Sequence, residues 1–564
     1  MRDLSAEEFV SLIKGNGKLI CDHKIIITDK VIINEECIGE NKSLEIDNIE
    51  FKNEVIIEKI ISLKQLFFYN CSFNKSITFR NSDFRILKAN GTIFPNNIKF
   101  NHCLINHIAI SNLFLQGNFV FENECKITNI SQANSQFNCK SLVIRQSEVF
   151  RVFILQLKGG LNIFESKVKR LRAENITKDI IIEDSEFVKA TFLKIECDIF
   201  SVIENTFLES FILDDFHIKN IYLNKNKLFD RGLIILSDYL SSLDSINIHT
   251  LQILSCEIGN QFNIYGDYNK AKIIDLEFEL NHLSTGSFIC QNLSIDKISI
   301  SGINSNSNIL FKNISSLHIY LENLTNNSDL NFSSIRGLDN SEFLIENSDL
   351  GTIRLNDVDF NSFNNVTIKN SAIYRIVTSN VNWFEDLQLN VEGKTEIEVY
   401  RNKREVYRQL KHALKINGNH IDSLKFYSLE LKAFNDELKV SNKSDWKDNL
   451  VMKVASTNDF GLNWWKPTII LIVVTMSTYI SILPLISNEI SYCVDLNNFG
   501  KTIKVFGDNF DFFVKMFNPI RDSQLNGLEK YEINIFKVID LFHRVFVGIM
   551  VFQIIRAFRK YFLS

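Results

Sequence analysis

Residues 180–187 read IIIEDSEF, and these residues set the fold. The isoleucines alternate across an extended chain, two to one side and one to the other. A polar pair ending in Ser185 follows, then a third polar residue, then the large apolar Phe187. Working outward, the same signature recurs on both sides. Upstream it is SKV (Val168), SEV (Val149), ECKI (Ile127), HCLI (Ile105) and NSDF (Phe84); downstream it is NTF (Phe207) and NKL (Leu228). From Phe84 to Leu228 the apolar positions step by 21, 22, 22, 19, 19, 20 and 21 residues. The signature returns as SCEI (Ile258), NSDL (Leu350) and NSAI (Ile373), and Phe51, Phe73 and Phe94 begin a second row about half a period away.

A fixed step of this size means a solenoid, in which each repeat buries its apolar face only against its neighbours. Between the signatures, SITFRNSDF, NIKFN, LVIRQSEV and IYLNKN alternate at period two. That is the periodicity of strands. The expected architecture is mainly β, a solenoid over residues 17–395 with Ser, Asn and Cys at the corners. Only 4 prolines in 564 residues suit such strands. The repeats resemble right-handed parallel β-helices, including the pentapeptide-repeat group. The resemblance implies the architecture and carries no family function, because Leu or Phe does not recur continuously every five residues.

The solenoid region offers two acidic pairs as candidates for general acid/base work: Asp214-Asp215 with His217, and Asp357 with Asp359. In a strand solenoid, however, alternate residues face water and are commonly acidic. The NTD and GHG motifs of pectin-hydrolysing β-helices are absent, as are H-E-x-x-H, G-x-S-x-G, a Walker loop and a dinucleotide fingerprint. The sequence therefore predicts no enzyme, no cofactor and no metal site. A net charge of -5 and a pI near 6.1 argue against nucleic acid as a partner.

Residues 1–16, MRDLSAEEFVSLIKGN, predict a short capping helix over the open end of the solenoid. Ser5 and Glu8 form a capping box, Phe9, Leu12 and Ile13 make the apolar face, and Gly15 ends it. This segment lacks the pattern of a secretory signal. Nine cysteines are scattered singly through residues 21–290, without metal spacing, and read as small buried residues in a reducing compartment. Cys493 stands apart, after the first apolar run.

At about Val399 the period becomes helical. Residues 396–445 predict an αα-hairpin turning at Asn417-Gly418, with Val406, Leu410, Ala413 and Leu414 on one face of its first helix. Leu424, Tyr427, Leu429, Leu431 and Phe434 supply contacts from the second. The hairpin reads as a packing adaptor between solenoid and membrane.

Residues 446–564 form the membrane domain. Residues 467–487, PTIILIVVTMSTYISILPLIS, carry no charge and span about 30 Å as a helix, the thickness of a hydrocarbon core. A second span runs over about 533–555 and contains Asp540, His543, Arg544 and Gln553. Ionisable residues inside a span are costly and point to function. Asp540 and Arg544 are spaced to pair on one helical face. Two readings stand open: these residues line a pore or a helix contact in an oligomer, or the span begins near Val545 and they lie at the headgroups with Arg556 snorkelling. Between the spans, residues 488–532 are rich in aromatics. Trp464, Trp465, Phe510, Phe512, Phe513 and Phe517 are candidate membrane-interface residues, and the stretch around Phe506 reads as an interfacial or re-entrant segment. The potassium-filter sequence T-V-G-Y-G is absent.

The series YRQLKHALKINGNHIDSLKFYSLELKAF, NDFGLNWWKP, FFVKMFNP and IDLFHRVFVGIMVFQIIRAFRKYF is similar to the C-terminal region of a group of bacterial membrane proteins, several with pentapeptide-like N-terminal repeats. The resemblance covers roughly residues 407–562 and implies an ion-channel-like two-span layout, with no catalytic residues to transfer. Lys447, Lys453 and Lys466 precede the first span and Arg556, Arg559 and Lys560 follow the second, which predicts a multi-pass protein of the inner (cytoplasmic) membrane with both termini cytoplasmic. The expected function is a cytoplasmic solenoid acting as sensor or interaction domain for a pore-forming homo-oligomer in membrane lipid. The alternative is a membrane-tethered, non-enzymatic scaffold whose solenoid binds a protein or small ligand.

Overall fold

The computed structural model describes residues 2–564 except 15–16, 39–41, 62, 91, 95, 111–112, 133–136, 237–245, 268–270, 442–444, 487–499, 501–502, 505, 522–529 and 563–564. Cys493, Gly15 and much of the inter-span stretch lie outside the described residues. The chain divides into two compact units, Met1–Leu389 and Asn390–Ser564.

The first unit is a parallel β-solenoid of about 16 turns. The repeated signature is its corner. In residues 184–187, Asp184 turns the chain with a positive φ of 45°, Ser185 is buried, Glu186 faces out and Phe187 points inward. The same division holds at Glu165-Ser166-Lys167-Val168 and at Glu204-Asn205-Thr206-Phe207. The buried second residue links rungs. Ser147 N–H donates to Ser166 Oγ at 3.2 Å, Ser166 N–H to Ser185 Oγ at 3.0 Å, Ser185 N–H to Asn205 Oδ1 at 2.9 Å, and Asn205 N–H to Asn226 Oδ1 at 2.9 Å. Each such bond satisfies a buried backbone donor that the turn would otherwise strand. This is why the second corner position is Ser, Asn or Cys and not a larger apolar residue.

Inside, identical side chains stack in register. Phe51, Phe73 and Phe94 form one column with ring centroids 4.8 Å apart and near-parallel planes, and Phe79, Phe100 and Phe121 form another at 4.5 and 4.8 Å. These separations match the strand spacing of a sheet. The backbone ladder thus fixes the aromatic stacking distance.

Helix α1, Ala6–Ile13, closes the N-terminal end. Its capping box is formed, and Phe9 sets its ring edge-on against Phe51, the first ring of the column, at 5.5 Å. Leu12, expected on the packed face, instead stands 45% exposed. Phe9 and Ile13 sit one turn apart, and that single stripe covers the rung; Leu12 falls to its side. At the far end Trp383 stacks on Phe360 at 5.5 Å, beside the buried Phe384.

The second unit is helical. Helices α2, Glu396–Ile416, and α3, His420–Val440, make the αα-hairpin, with Gly418 at φ 77° in the turn. Val406, Leu410, Ala413 and Leu414 are buried in α2. On α3 the packed side chains are Phe426, Ala433 and Leu438, while Leu424, Tyr427, Leu429, Leu431 and Phe434 are only half-buried. The rotation follows Glu437, which turns inward to meet Arg401 at 3.3 Å and Arg404 at 2.7 Å. A further helix, α4, Trp446–Ser456, precedes the spans. Helices α5, Trp465–Ile486, and α7, Lys530–Phe562, are each long and apolar enough to cross a membrane, over Trp465–Leu483 and Asn534–Phe558. Between them in sequence lies the short α6, Phe510–Lys515.

Candidate functional site: a charge cluster between two long apolar helices

The inward stripe of α7 repeats every third or fourth residue: Asp540, His543, Val547, Met550, Gln553 and Ala557 are all buried. Val547 and Met550 pack on Leu471 of α5. Toward the start of α7, Phe536 joins Tyr479, Ile482 and Leu483 of α5 around Phe513 and Met516 of the α6 arm. The Tyr479 hydroxyl donates to the Phe506 carbonyl at 2.9 Å. The aromatic segment is therefore packed against both spans and is not a free loop.

Between these two apolar clusters sits a polar one. Asp540 is 3% exposed and accepts from two arginines. Arg544 Nε, one helical turn on, donates to Oδ2 at 2.6 Å, and Arg521 Nη2 donates to Oδ1. Arg521, itself 5% exposed, also donates through Nη1 to the Met516 carbonyl at 2.7 Å, which closes the α6 arm onto its own end. His543 Nδ1 lies 3.2 Å from Arg521 Nη2, and its Nε2 lies 3.2 Å from Thr475 Oγ1 on α5. One carboxylate, two guanidiniums, an imidazole and a hydroxyl thus tie three segments together. Desolvating these ions is expensive, and mutual pairing offsets that cost. Arg521 Nε and Arg544 Nη2 remain buried without a partner.

The other candidate residues fall around this core. Gln553 is buried on the same stripe with its Oε1 unpartnered, while its backbone carbonyl accepts from Asn458 Nδ2 at 2.9 Å. Arg544 is the one member of the set that is partly exposed. Trp464 stacks on Phe558 at 5.3 Å, and Trp465 is 57% exposed. Phe513 is buried, Phe512 and Phe517 are half-buried, and Phe510 is exposed. The outward side of α7 presents Val538, Leu541, Phe542, Val545, Ile549 and Phe552.

The hairpin is fastened to the segment before α5 and to the last part of α7. Ser428 Oγ donates to the Asp459 carbonyl at 2.8 Å, and Arg556 Nη2 donates to the Tyr427 hydroxyl at 3.2 Å.

On the solenoid, the acidic candidates serve the corners. Asp215 and Asp357 hold positive φ of 50° and 53°, a conformation Asp tolerates. Asp357 accepts from Ser334 and Asn380 of neighbouring rungs at 3.0 Å each, and Asp359 accepts from Asn382 at 2.7 Å. His217 registers on Glu196 in the previous rung. Burial raises the Asp214 carboxyl above its ordinary range. It likewise pushes the thiols of Cys71, Cys139, Cys197 and Cys256 up to about 12, which keeps them protonated and unreactive. Among the described residues no group of His, Cys, Asp and Glu is placed to hold a metal ion.

Arg521, Thr475 and Asn458 are the residues that sequence reading passes over. The available signal was Asp540 itself: a carboxylate within a long apolar helix calls for more counter-charge than one partly exposed arginine. No protein family, curated protein or solved structure matches this chain.

Proposed function

We propose that this is a non-enzymatic integral membrane protein whose solenoid is a binding platform, held at the bilayer by the α5–α7 module. The supporting observation is where the span charges go. Asp540, Arg521 and His543 are consumed by one another inside the helix packing, and the outward residues of α7 from Val538 to Phe552 are apolar, with Lys537 exposed just before them. That is the surface lipid requires and not the surface of a water-filled conduit. Lys447 and Lys453 before α5 and Arg556 near the end of α7 favour a cytoplasmic solenoid. Burial of eight of the nine described cysteines, none in a disulfide, accords with a reducing compartment.

A second reading, the oligomeric pore, draws on the order of span, short packed helix and span, and on the partly exposed Arg544 with its unpartnered Nη2. Purified protein in planar bilayers separates the two. The platform reading expects silent membranes at all voltages; reproducible unitary currents, altered by Arg544→Gln, would establish the pore instead.

A further inference from the structure

A row of like charges runs along the solenoid beside a row that compensates itself. Arg151 registers on Arg170, and Arg170 on Lys189, in successive rungs. All three are exposed, and none has an ion pair among the described residues. In the same strands a second row, separated from the first by Phe150, Lys169 and Val188, reads Lys126, Glu148, Lys167, Glu186, alternating in sign, with Lys167 and Glu186 at 3.9 Å. Neighbouring strands lie about 4.8 Å apart, and like charges directly opposite at that distance destabilise a sheet. The uncompensated row therefore carries a cost that an anionic partner would remove.

Next to the row lies an open groove of about 600 Å³, floored in part by Phe150 and Val188. Phe150 is 46% exposed, and Lys169 Nζ rests 4.8 Å above its ring. A surface that sets Arg and aromatic side chains beside a groove with apolar residues on its floor and charged residues on its walls has the composition of a protein interface. Glu148 and Glu186 line the groove and Arg151, Arg170 and Lys189 do not, so a uniformly anionic nucleic acid would meet charge of its own sign there, whereas a partner that confines its acids to the row and offers the groove an uncharged flank would not.

The rung spacing selects the form of the partner. An extended strand places same-face side chains about 6.6–6.8 Å apart, too long for the rungs. A helix rises about 4.5–6 Å between residues i and i+3 or i+4, which brackets the rung spacing of about 4.8 Å. We propose that the Arg151–Arg170–Lys189 row docks an acidic amphipathic helix of a partner protein. Its carboxylates at i, i+3 or i+4, and i+7 lie along the row, and its apolar flank enters the groove at Phe150. This rests on the platform reading above and names the class of partner.

The test uses the full chain in phosphatidylcholine nanodiscs and a fluorescein-labelled helical peptide with Glu at those positions and Leu beside them. Fluorescence anisotropy should show saturable binding that weakens with salt. The R151E/R170E/K189E variant should bind about tenfold weaker or worse, with F150S weaker by about severalfold. R151Q/R170Q/K189Q provides the same readout without introduced repulsion, should the reversal disturb the fold. The inference is overturned if the wild type does not bind, if a scrambled peptide of equal charge binds equally well, if a labelled single-stranded oligonucleotide binds tighter, or if the variants bind unchanged. Each of these results is independent of the bilayer currents. Conduction would sink the platform reading and leave the peptide data standing, and lost binding with silent membranes would sink the docking row alone.

Discussion

Arg521 donates to Asp540 from nineteen residues away, and both side chains are more than nine-tenths buried. One belongs to the arm that follows α6, the other to the inward stripe of α7. The bond is the point at which the aromatic arm is fixed to α7. It also explains how a carboxylate is tolerated there, because Arg544 alone leaves one carboxylate oxygen without a partner.

Removing one partner should therefore cost more than removing both. Asp540→Ala strands Arg521 in the packing and is expected to destabilise the helical unit by about 3–5 kcal/mol. The R521M/D540L double variant should recover most of that loss. Thermal unfolding in mild detergent, followed by fluorescence of Trp464 and Trp465, measures both. Additive losses would show that the pair is not coupled.

The corner ladder makes a local prediction in the solenoid. Ser166→Ala deletes the acceptor for the Ser147 N–H and should cost about 1–3 kcal/mol, the penalty of an unpaired buried donor. Ser166→Cys should cost less, since Cys103 N–H already finds Cys125 Sγ at the equivalent corner, at 3.5 Å. Because a solenoid need not unfold as one unit, the readout is amide hydrogen exchange at Ser147. It should accelerate in the alanine variant, and rungs several turns away should be unaffected.

The contrast between these two sites explains what the sequence made legible. The solenoid repeats the same demand in every rung, so its period shows in the apolar positions from Phe84 to Leu228 even before the role of the intervening Ser, Cys and Asn is understood. The Asp540–Arg544 spacing was visible because both residues lie on one helix. Arg521 was not, since its partner is distant in sequence and its own neighbours form an aromatic stretch with no periodicity. The burial of Glu437 on α3 was not legible for a related reason. Burial of Glu437 depends on Arg401 and Arg404 across the hairpin, and an apolar count along one helix does not register a charge that is neutralised by another.

Asp214 sets a pH dependence. Burial holds its carboxyl above the ordinary range, so the folded state prefers it protonated. Its contribution is fully present below the ordinary carboxylate range and is lost as the pH rises through the raised value. Asp214→Asn is neutral throughout. The variant should melt higher than wild type at neutral pH, and the difference should shrink as the solution is acidified. Parallel melting curves for the two proteins across this range check it; a constant difference would mean that Asp214 does not titrate in the way its burial implies.

Lys194 tests whether the corners carry strain. It holds φ at 54° and is exposed, in a column whose neighbours in the preceding and following rungs are Asn175 at 49° and Asp215 at 50°. Asn and Asp enter this left-handed region with little penalty because their short polar side chains bond locally, whereas for other L-residues the cost is about 1–2 kcal/mol. Lysine at this corner therefore opposes a conformation that the rungs on either side impose. Lys194→Asn should stabilise the solenoid by up to about 1 kcal/mol, and Lys194→Val, β-branched and hence worse than lysine, should destabilise it. Neither change touches a buried contact, so slower hydrogen exchange in the rungs flanking Lys194→Asn and faster exchange in those flanking Lys194→Val would both report on the backbone alone. If both variants exchange like the wild type, the neighbouring rungs do not hold this corner in its left-handed conformation.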